Sequence, residues 1–225
     1  MNLEGVTKKI EGTTILEDVT FSLRKNEIVG LIGRNGSGKT TLFRTLSGQY
    51  ALDGGEIMID GQSLAQKPQL KENLFYIDEK ENFLAAYSLK KINAFYRLAY
   101  SHFNQNLYLE LMQSNGLPLG HSYRRMSKGM QGLYKMILAI ASNADYLLLD
   151  EPFDGLDIIV RKKVIGLLLE NLSESNRTAI IASHNLNELE NIIDRALLIK
   201  GRTIAKDYRL ETMRENARKI QFVFR

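Results

Sequence analysis

The stretch from Gly33 to Thr41, "GRNGSGKTT", limits the folds open to this chain more than any other: three glycines, one lysine and two threonines stand in nine residues. Its pattern is G-x4-G-K-[ST], with Gly33, Gly38, Lys39 and Thr40 in the defining places. A nearly continuous apolar run, Ile28 to Ile32, precedes it, and a helical pattern from Lys39 to Leu46, stopping at Ser47–Gly48, follows it. Strand, bare loop and helix in that order turn consecutive backbone N–H groups and a positive helix end toward one point, which suits phosphate oxygens. Asn35, Gly36, Ser37, Gly38 and Thr41 are expected to line this cradle. Lys39 is expected to reach the β and γ phosphates of a nucleotide, and the Thr40 hydroxyl to hold Mg²⁺.

"YLLLDEP" supplies what a phosphate cradle lacks. Leu147 to Leu149 predict a strand buried on both faces, which carries Asp150 to its C-terminal end beside the loop. Asp150 then serves the Mg²⁺ shell. Glu151, one residue on, can polarise a water for in-line attack on the γ-phosphorus. His184 follows a further apolar strand, "TAIIAS", where it can donate to the same phosphate.

Around these motifs the chain alternates. "VTFSLRKNEIVGLIG" reads as a strand, a turn at Lys25–Asn26 and a second strand; "GGEIMIDG" and "NLFYI" are short strands. From about 80 to 142 helical patterns take over, at Leu84–Tyr100, Gln105–Asn115 and Met130–Ala141. Strands and helices resume at 146–150, Asp157–Leu172, 178–183, a helix after His184 and the hairpin "RALLIKGRTIA". The expected architecture is α/β, one domain over 1–225 with a mainly parallel sheet, an antiparallel β part and an inserted helical lobe. "KIQFVFR" ends in a strand pattern and leaves open a continuation of the chain.

Bulk properties close off other classes. The chain lacks cysteine, so thiolate metal sites and disulfides are excluded, and His102, His121 and His184 have no metal-ligand spacing. A net charge of +4 is spread along the sequence, its densest cluster being Arg161 to Lys163, a pattern suited to a solvated helix face. Glu4, Lys8 and Lys9 interrupt any early apolar run, and the longest apolar stretch, Met136 to Ala141, is far below the roughly 20 residues of a membrane span. A membrane process served by this chain therefore needs another chain for the membrane part.

The ordered set "GRNGSGKTT", "MSKGM", "LLLDEP", "DGLD" and "SHN" resembles the ATPase domain of ATP-binding cassette (ABC) transporters, a P-loop NTPase fold, along essentially the whole chain. The resemblance implies that ATP and Mg²⁺ are bound, and that Met126 to Met130 stand for the family's "LSGGQ". In that family the segment binds the γ-phosphate held by a second ATPase subunit, so two chains enclose two ATP molecules. Ser127 and Gly129 keep the hydroxyl and the bare backbone; Lys128 and Met130 replace a glycine and the glutamine. "SKGM" resembles a branch serving drug, bacteriocin or antibiotic exporters. Asp154 to Asp157 are expected between the paired subunits, with Asp157 also capping its helix.

Three positions depart from the family pattern. Its adenine-stacking aromatic falls at about Ile10, and no aromatic residue precedes Phe21, which predicts modest base selectivity. Its coupling glutamine falls in Asp78–Glu79–Lys80, with Glu79 the match and Asp78 the alternative; a carboxylate there can still ligate Mg²⁺, and Glu79→Gln is expected to preserve turnover. Leu133 stands where many relatives place a cation, a change without a mechanistic account.

Nine of the nineteen Phe and Tyr residues lie between Phe75 and Tyr108. A small lobe does not readily bury so many, and aromatic residues favour interfaces. Phe83 and Tyr87 are expected to meet a transmembrane permease subunit. The expected protein is a cytoplasmic ATPase subunit on the inner face of the membrane, driving export of a drug, peptide or lipid, paired as a homodimer or heterodimer and without a nucleic-acid partner. Two other readings stand beside it: a soluble ABC ATPase acting on nucleic acid or ribosomes, and a nucleotide-gated scaffold that does not hydrolyse.

Overall fold

Alternating residues at the start of the chain and continuous apolar runs later on sort into two sheets. The computed structural model describes residues 1–78, 83–173 and 175–210. Strands β1 (Asn2–Ile10) and β2 (Thr13–Ser22) form a hairpin, and β3 (Ile28–Ile32) leads into helix α1 (Lys39–Leu46). Strands β4 (Gly54–Ile59), β5 (Gln62–Ser63) and β6 (Leu74–Ile77) follow. Helices α2 (Leu89–Ala99), α3 (Gln105–Ser114) and α4 (Lys128–Ala141) come next. The chain then runs through β7 (Tyr146–Asp150), α5 (Ile158–Ser173), β8 (Thr178–Ser183), β9 (Arg195–Lys200) and β10 (Thr203–Arg209).

The first sheet is antiparallel, in the order β2-β1-β4-β5; the second has the order β10-β9-β3-β8-β7-β6 and is parallel except for β10. Its central strands are buried on both faces. Leu148 of β7 packs toward α1, with Leu42, Phe43 and Leu46, while Leu147 and Leu149 pack toward α4, with Ile137 and Leu138. Each such leucine contributes about 1.5–3 kcal/mol on burial. Parallel register pairs Ile77 with Leu149, Leu149 with Ile181 and Ile32 with Ser183. Gly33, Asp78, Asp150 and His184 therefore leave the sheet at one edge, the carboxyl edge where α/β sheets bind ligands.

Helix α4 is fixed at both ends. Ser127 caps its start, accepting from the Met130 amide at 3.2 Å. At its end the buried Arg177 donates to the carbonyls of Ala139, Ile140 and Ala144 at 2.7, 3.0 and 2.8 Å. A cation at a helix C-terminus satisfies carbonyls that have no partner within the helix. Burial lowers the Arg177 pKa to about 10, so it stays charged at neutral pH.

Two helices expected from the sequence differ. The pattern over Leu84–Tyr100 is not one helix: a 3-10 turn spans Phe83–Ala86, the chain turns extended at Ser88, and α2 restarts with the Ser88 hydroxyl accepting from the Lys91 amide. Ser88 there forms a bridge with Ser122, which pulls it out of helical geometry. After His184 only a 3-10 turn, Leu186–Glu188, forms, because Asn185 and Ser183 bond the local backbone and the chain reaches β9 within ten residues. Helix α4 starts at Lys128, two residues before the expected Met130. Glu79 and the strand pattern of "KIQFVFR" lie outside the described residues.

Six of the nine clustered aromatics pack inward: Phe75, Tyr96 and Tyr108 are buried, and Tyr76, Tyr100 and Phe103 lie against the core. Phe83, Tyr87 and Phe95 remain about half exposed, and the Phe83 and Phe95 rings meet edge to face at 5.9 Å.

Candidate functional site

The loop between β3 and α1 adopts the backbone its glycines permit. Gly36 has φ +79° with open space where a side chain would stand, and Gly38, at φ +105°, begins α1. An L side chain is strained at either angle. The loop borders a cleft of about 670 Å³, also lined by Ile15, Asp150, Glu151, Asp154 and His184.

Lys39 is buried and donates to the Gly33 carbonyl at 2.8 Å; its Nζ also lies 3.5 Å from Oε1 of Glu151. The other Glu151 oxygen, Oε2, is 3.0 Å from Nδ1 of His184. Glu151 has φ +46°, a left-handed backbone that costs a non-glycine residue about 1–2 kcal/mol. Its amide is held by the Ala182 carbonyl at 3.0 Å, which fixes this turn directly beyond β7. Such strain aims the carboxylate across the cleft instead of along the strand.

Asp150 is buried, and burial raises its pKa, partly opposed by a hydrogen bond from Thr40. Its Oδ1, like Oγ of Ser37, is buried without a hydrogen-bond partner among the described residues. An acceptor left bare beside a phosphate cradle and a threonine hydroxyl fits a hard cation with oxygen ligands. Among the described residues no group of three or more His, Cys, Asp or Glu side chains could hold a metal alone. Such a donor set fits Mg²⁺ that shares its shell with substrate phosphates and water.

The structure thus brings Asn35 to Thr41, Asp150, Glu151 and His184 together. Gly33 lies at the base of the loop as the acceptor for Lys39. Ile10 is not among the residues lining the cleft: it sits at the tip of the first hairpin, paired with Thr13. Ile15, whose carbonyl and side chain approach Gly38, takes the cleft side, because the two-residue turn at Glu11–Gly12 folds β2 back across the loop. Ser127 and Gly129 stand apart, at the start of α4; Ser127 is exposed, and a Cβ at Gly129 would come within 3.2 Å of Val160. Close packing of α4 on α5 is thus a second reason for glycine there.

Residues missed in the sequence surround Asp150. The Tyr76 hydroxyl lies 3.5 Å from its Oδ2, and burial raises the Tyr76 pKa, which keeps this phenol a donor. Parallel pairing of β6 with β7 places Tyr76 there, and only the register between distant strands could have foretold it.

A family model described as ABC transporter matches residues 16–154. The ABC transporter ATP-binding protein YtrB of Bacillus subtilis (strain 168) is 32% identical over 224 residues, 100% of this chain and 77% of that protein. Other relatives carry import in their names, for petrobactin and for xylose. An ATP-binding subunit of an ABC transporter superposes with a TM-score of 0.84 at 24% identity, covering 96% of this chain and 92% of that one. The cassette MJ0796, solved as a dimer, gives a TM-score of 0.80 at 20% identity, over 93% and 98% of the two chains.

Proposed function

This chain belongs to the ABC transporter family, whose characteristic activity is ATP hydrolysis, and from that premise we propose that it is the ATPase subunit of a membrane exporter, working in a pair. The observation that carries the reading is the convergence of the glycine loop, Asp150, Glu151 and His184 on one cleft.

In the proposed cycle the γ-phosphate draws Lys39 from the Gly33 carbonyl and from Glu151. Glu151, released from that ion pair, accepts a proton from the attacking water. His184 keeps Nδ1 on Glu151 and offers Nε2 to the γ-phosphate. Thr40 and Asp150 would hold Mg²⁺, which when bound offsets the charge of the transferring phosphoryl group. Adenine lies beside Ile15, and Ile10 contributes at most from the hairpin tip. Asp78 accepts from Arg44 through one carboxylate oxygen, and Glu79 is the match we keep for the coupling position.

Ser127 and Gly129 are not among the residues lining their own cleft, an arrangement suited to the nucleotide of a second subunit. The dimeric state of the related cassette supports the pairing. No helix among the described residues is long and apolar enough to cross a membrane, so a permease supplies the passage and holds this chain on the inner face. Phe83 and Tyr87, both about half exposed, suit that contact. Export rests on the "SKGM" likeness, against which the import names of other relatives stand.

The test is purification of the Glu151→Gln variant in ATP. The expected result is a closed pair bound to one multi-spanning membrane protein, an association that Phe83→Ser with Tyr87→Ser weakens. A monomer without membrane partner in saturating ATP overturns the reading.

A further inference from the structure

Asp78 is held by two helices that the parallel sheet keeps apart. Arg44 of α1 directs Nε and Nη2 to its Oδ2 at 3.1 and 2.8 Å. Lys135 of α4 donates to its backbone carbonyl at 3.3 Å. Nη1 of Arg44 meets the Tyr50 hydroxyl at 3.0 Å, which fixes the guanidinium in its plane.

Helix α1 packs against one face of the sheet, with Leu148, and α4 against the other, with Leu147 and Leu149. Apolar contact between α1 and α4 therefore runs through the strands between them. Asp78 lies where a polar link passes around the edge, one residue beyond Ile77, whose strand partner is Leu149. It is 9% exposed, and the Arg44 side chain 15%. Taking such a pair out of water costs several kcal/mol per ion before attraction offsets it, so the pair is a poor device for stability alone.

We propose that Asp78 is a positioning residue through which the nucleotide-holding helix α1 sets the orientation of α4 and of the Ser127–Met130 segment at its start. The inference rests on the reading of that segment as the surface offered to a second subunit's nucleotide. Arg44 is a planar, permanently charged fork, so a movement of α1 as its first turn closes on phosphate passes to Asp78 with little slack. The Asp78 carbonyl passes it to Lys135. Ser127 lies eight residues before Lys135, about 12 Å along the axis at 1.5 Å per residue, so a tilt of α4 about Lys135 moves the segment.

The test compares the full chain with Arg44→Gln, Lys135→Met, their double variant and Lys135→Arg, in ATP turnover, ATP affinity and thermal midpoint. Lys135 is partly exposed, which keeps the experiment readable if Arg44→Gln does not fold. Expected for each single variant is a kcat lower by between about threefold and thirtyfold with ATP affinity unchanged. The double variant falls no further than the worse single one, and Lys135→Arg recovers the loss. Wild-type kcat in Lys135→Met, losses that multiply in the double variant, or affinity and kcat falling in step overturn the inference while ATP hydrolysis stands. A wild-type chain that does not hydrolyse ATP overturns the reading of the site and this inference with it.

Discussion

Nδ1 of His184 lies 3.0 Å from Oε2 of Glu151, while Oε1 of the same carboxylate lies 3.5 Å from Nζ of Lys39. One carboxylate thus joins the two groups that the proposed cycle brings to the γ-phosphate, and in that cycle it loosens from Lys39 before it serves a water. Glu151→Gln keeps the shape and removes the base. Turnover is expected to fall by roughly 10²–10⁴-fold, the usual contribution of a general base, with ATP still bound. His184→Ala removes the support of Glu151 and the phosphate donor together. Because the two act as a unit, the double variant is expected to lose little beyond Glu151→Gln alone. Steady-state phosphate release checks both, and independent, multiplying losses would show that the contact has no catalytic role.

Ile15 borders the cleft where a flat ring would discriminate between bases. An aliphatic side chain covers either purine and gives up a stacking preference of about 0.5–1.5 kcal/mol. The Michaelis constants for ATP and GTP are therefore expected to agree within about fivefold, and Ile15→Tyr to tighten both. A large preference for ATP in the unaltered chain would place the base elsewhere.

The elements flanking the cleft were the most legible ones. α1 runs from Lys39 to Leu46 and β7 from Tyr146 to Asp150, as the motifs predict, because local glycine geometry and a continuous apolar run fix both. Ile10 lies outside the cleft lining, since a count along the chain cannot say which strand of a hairpin faces the loop; Ile15 does so only after β2 folds back on β1. The contacts of Asp78 with Arg44 and of Asp150 with Tyr76 span 34 and 74 residues. Nothing local encodes them: they arise when parallel strands come into register. The break at Ser88 follows likewise from its bridge to Ser122, which overrides a helical pattern.

Arg195 binds both oxygens of Asp207, at 2.7 and 2.6 Å, across the β9–β10 hairpin. The hydrogen bond from Arg195 is the largest cause that holds the Asp207 pKa below its ordinary 3.8. A carboxylate with a depressed folded pKa contributes stability that is present above 3.8 and is lost as pH falls through the folded value. The hairpin is therefore expected to lose stability only in the acid range below about pH 4, and Asp207→Asn to remove that part of the acid sensitivity. Because the Asp207 side chain is 45% exposed, the effect is expected to be modest and weakened by salt. Amide exchange at β9 and β10 across an acid titration measures it; an unchanged profile in Asp207→Asn would assign the acid response to other carboxylates.

Arg177 ties the last turn of α4 to the start of β8, through three donors on three carbonyls. Hydrogen bonds from a charged donor contribute about 1.5–3 kcal/mol each when a partner left behind is buried. Arg177→Met fills similar space yet strands the carbonyls of Ala139, Ile140 and Ala144, so a loss of about 3 kcal/mol or more in unfolding free energy is expected. Arg177→Lys is expected to recover only part, because a single ammonium cannot match the fork. Denaturant unfolding of the three proteins gives the comparison. The carbonyls lie at the end of α4 remote from Ser127, so ATP affinity of the folded fraction is expected to stay the same. A Met variant as stable as the unaltered chain would mean that α4 is held by its apolar face alone.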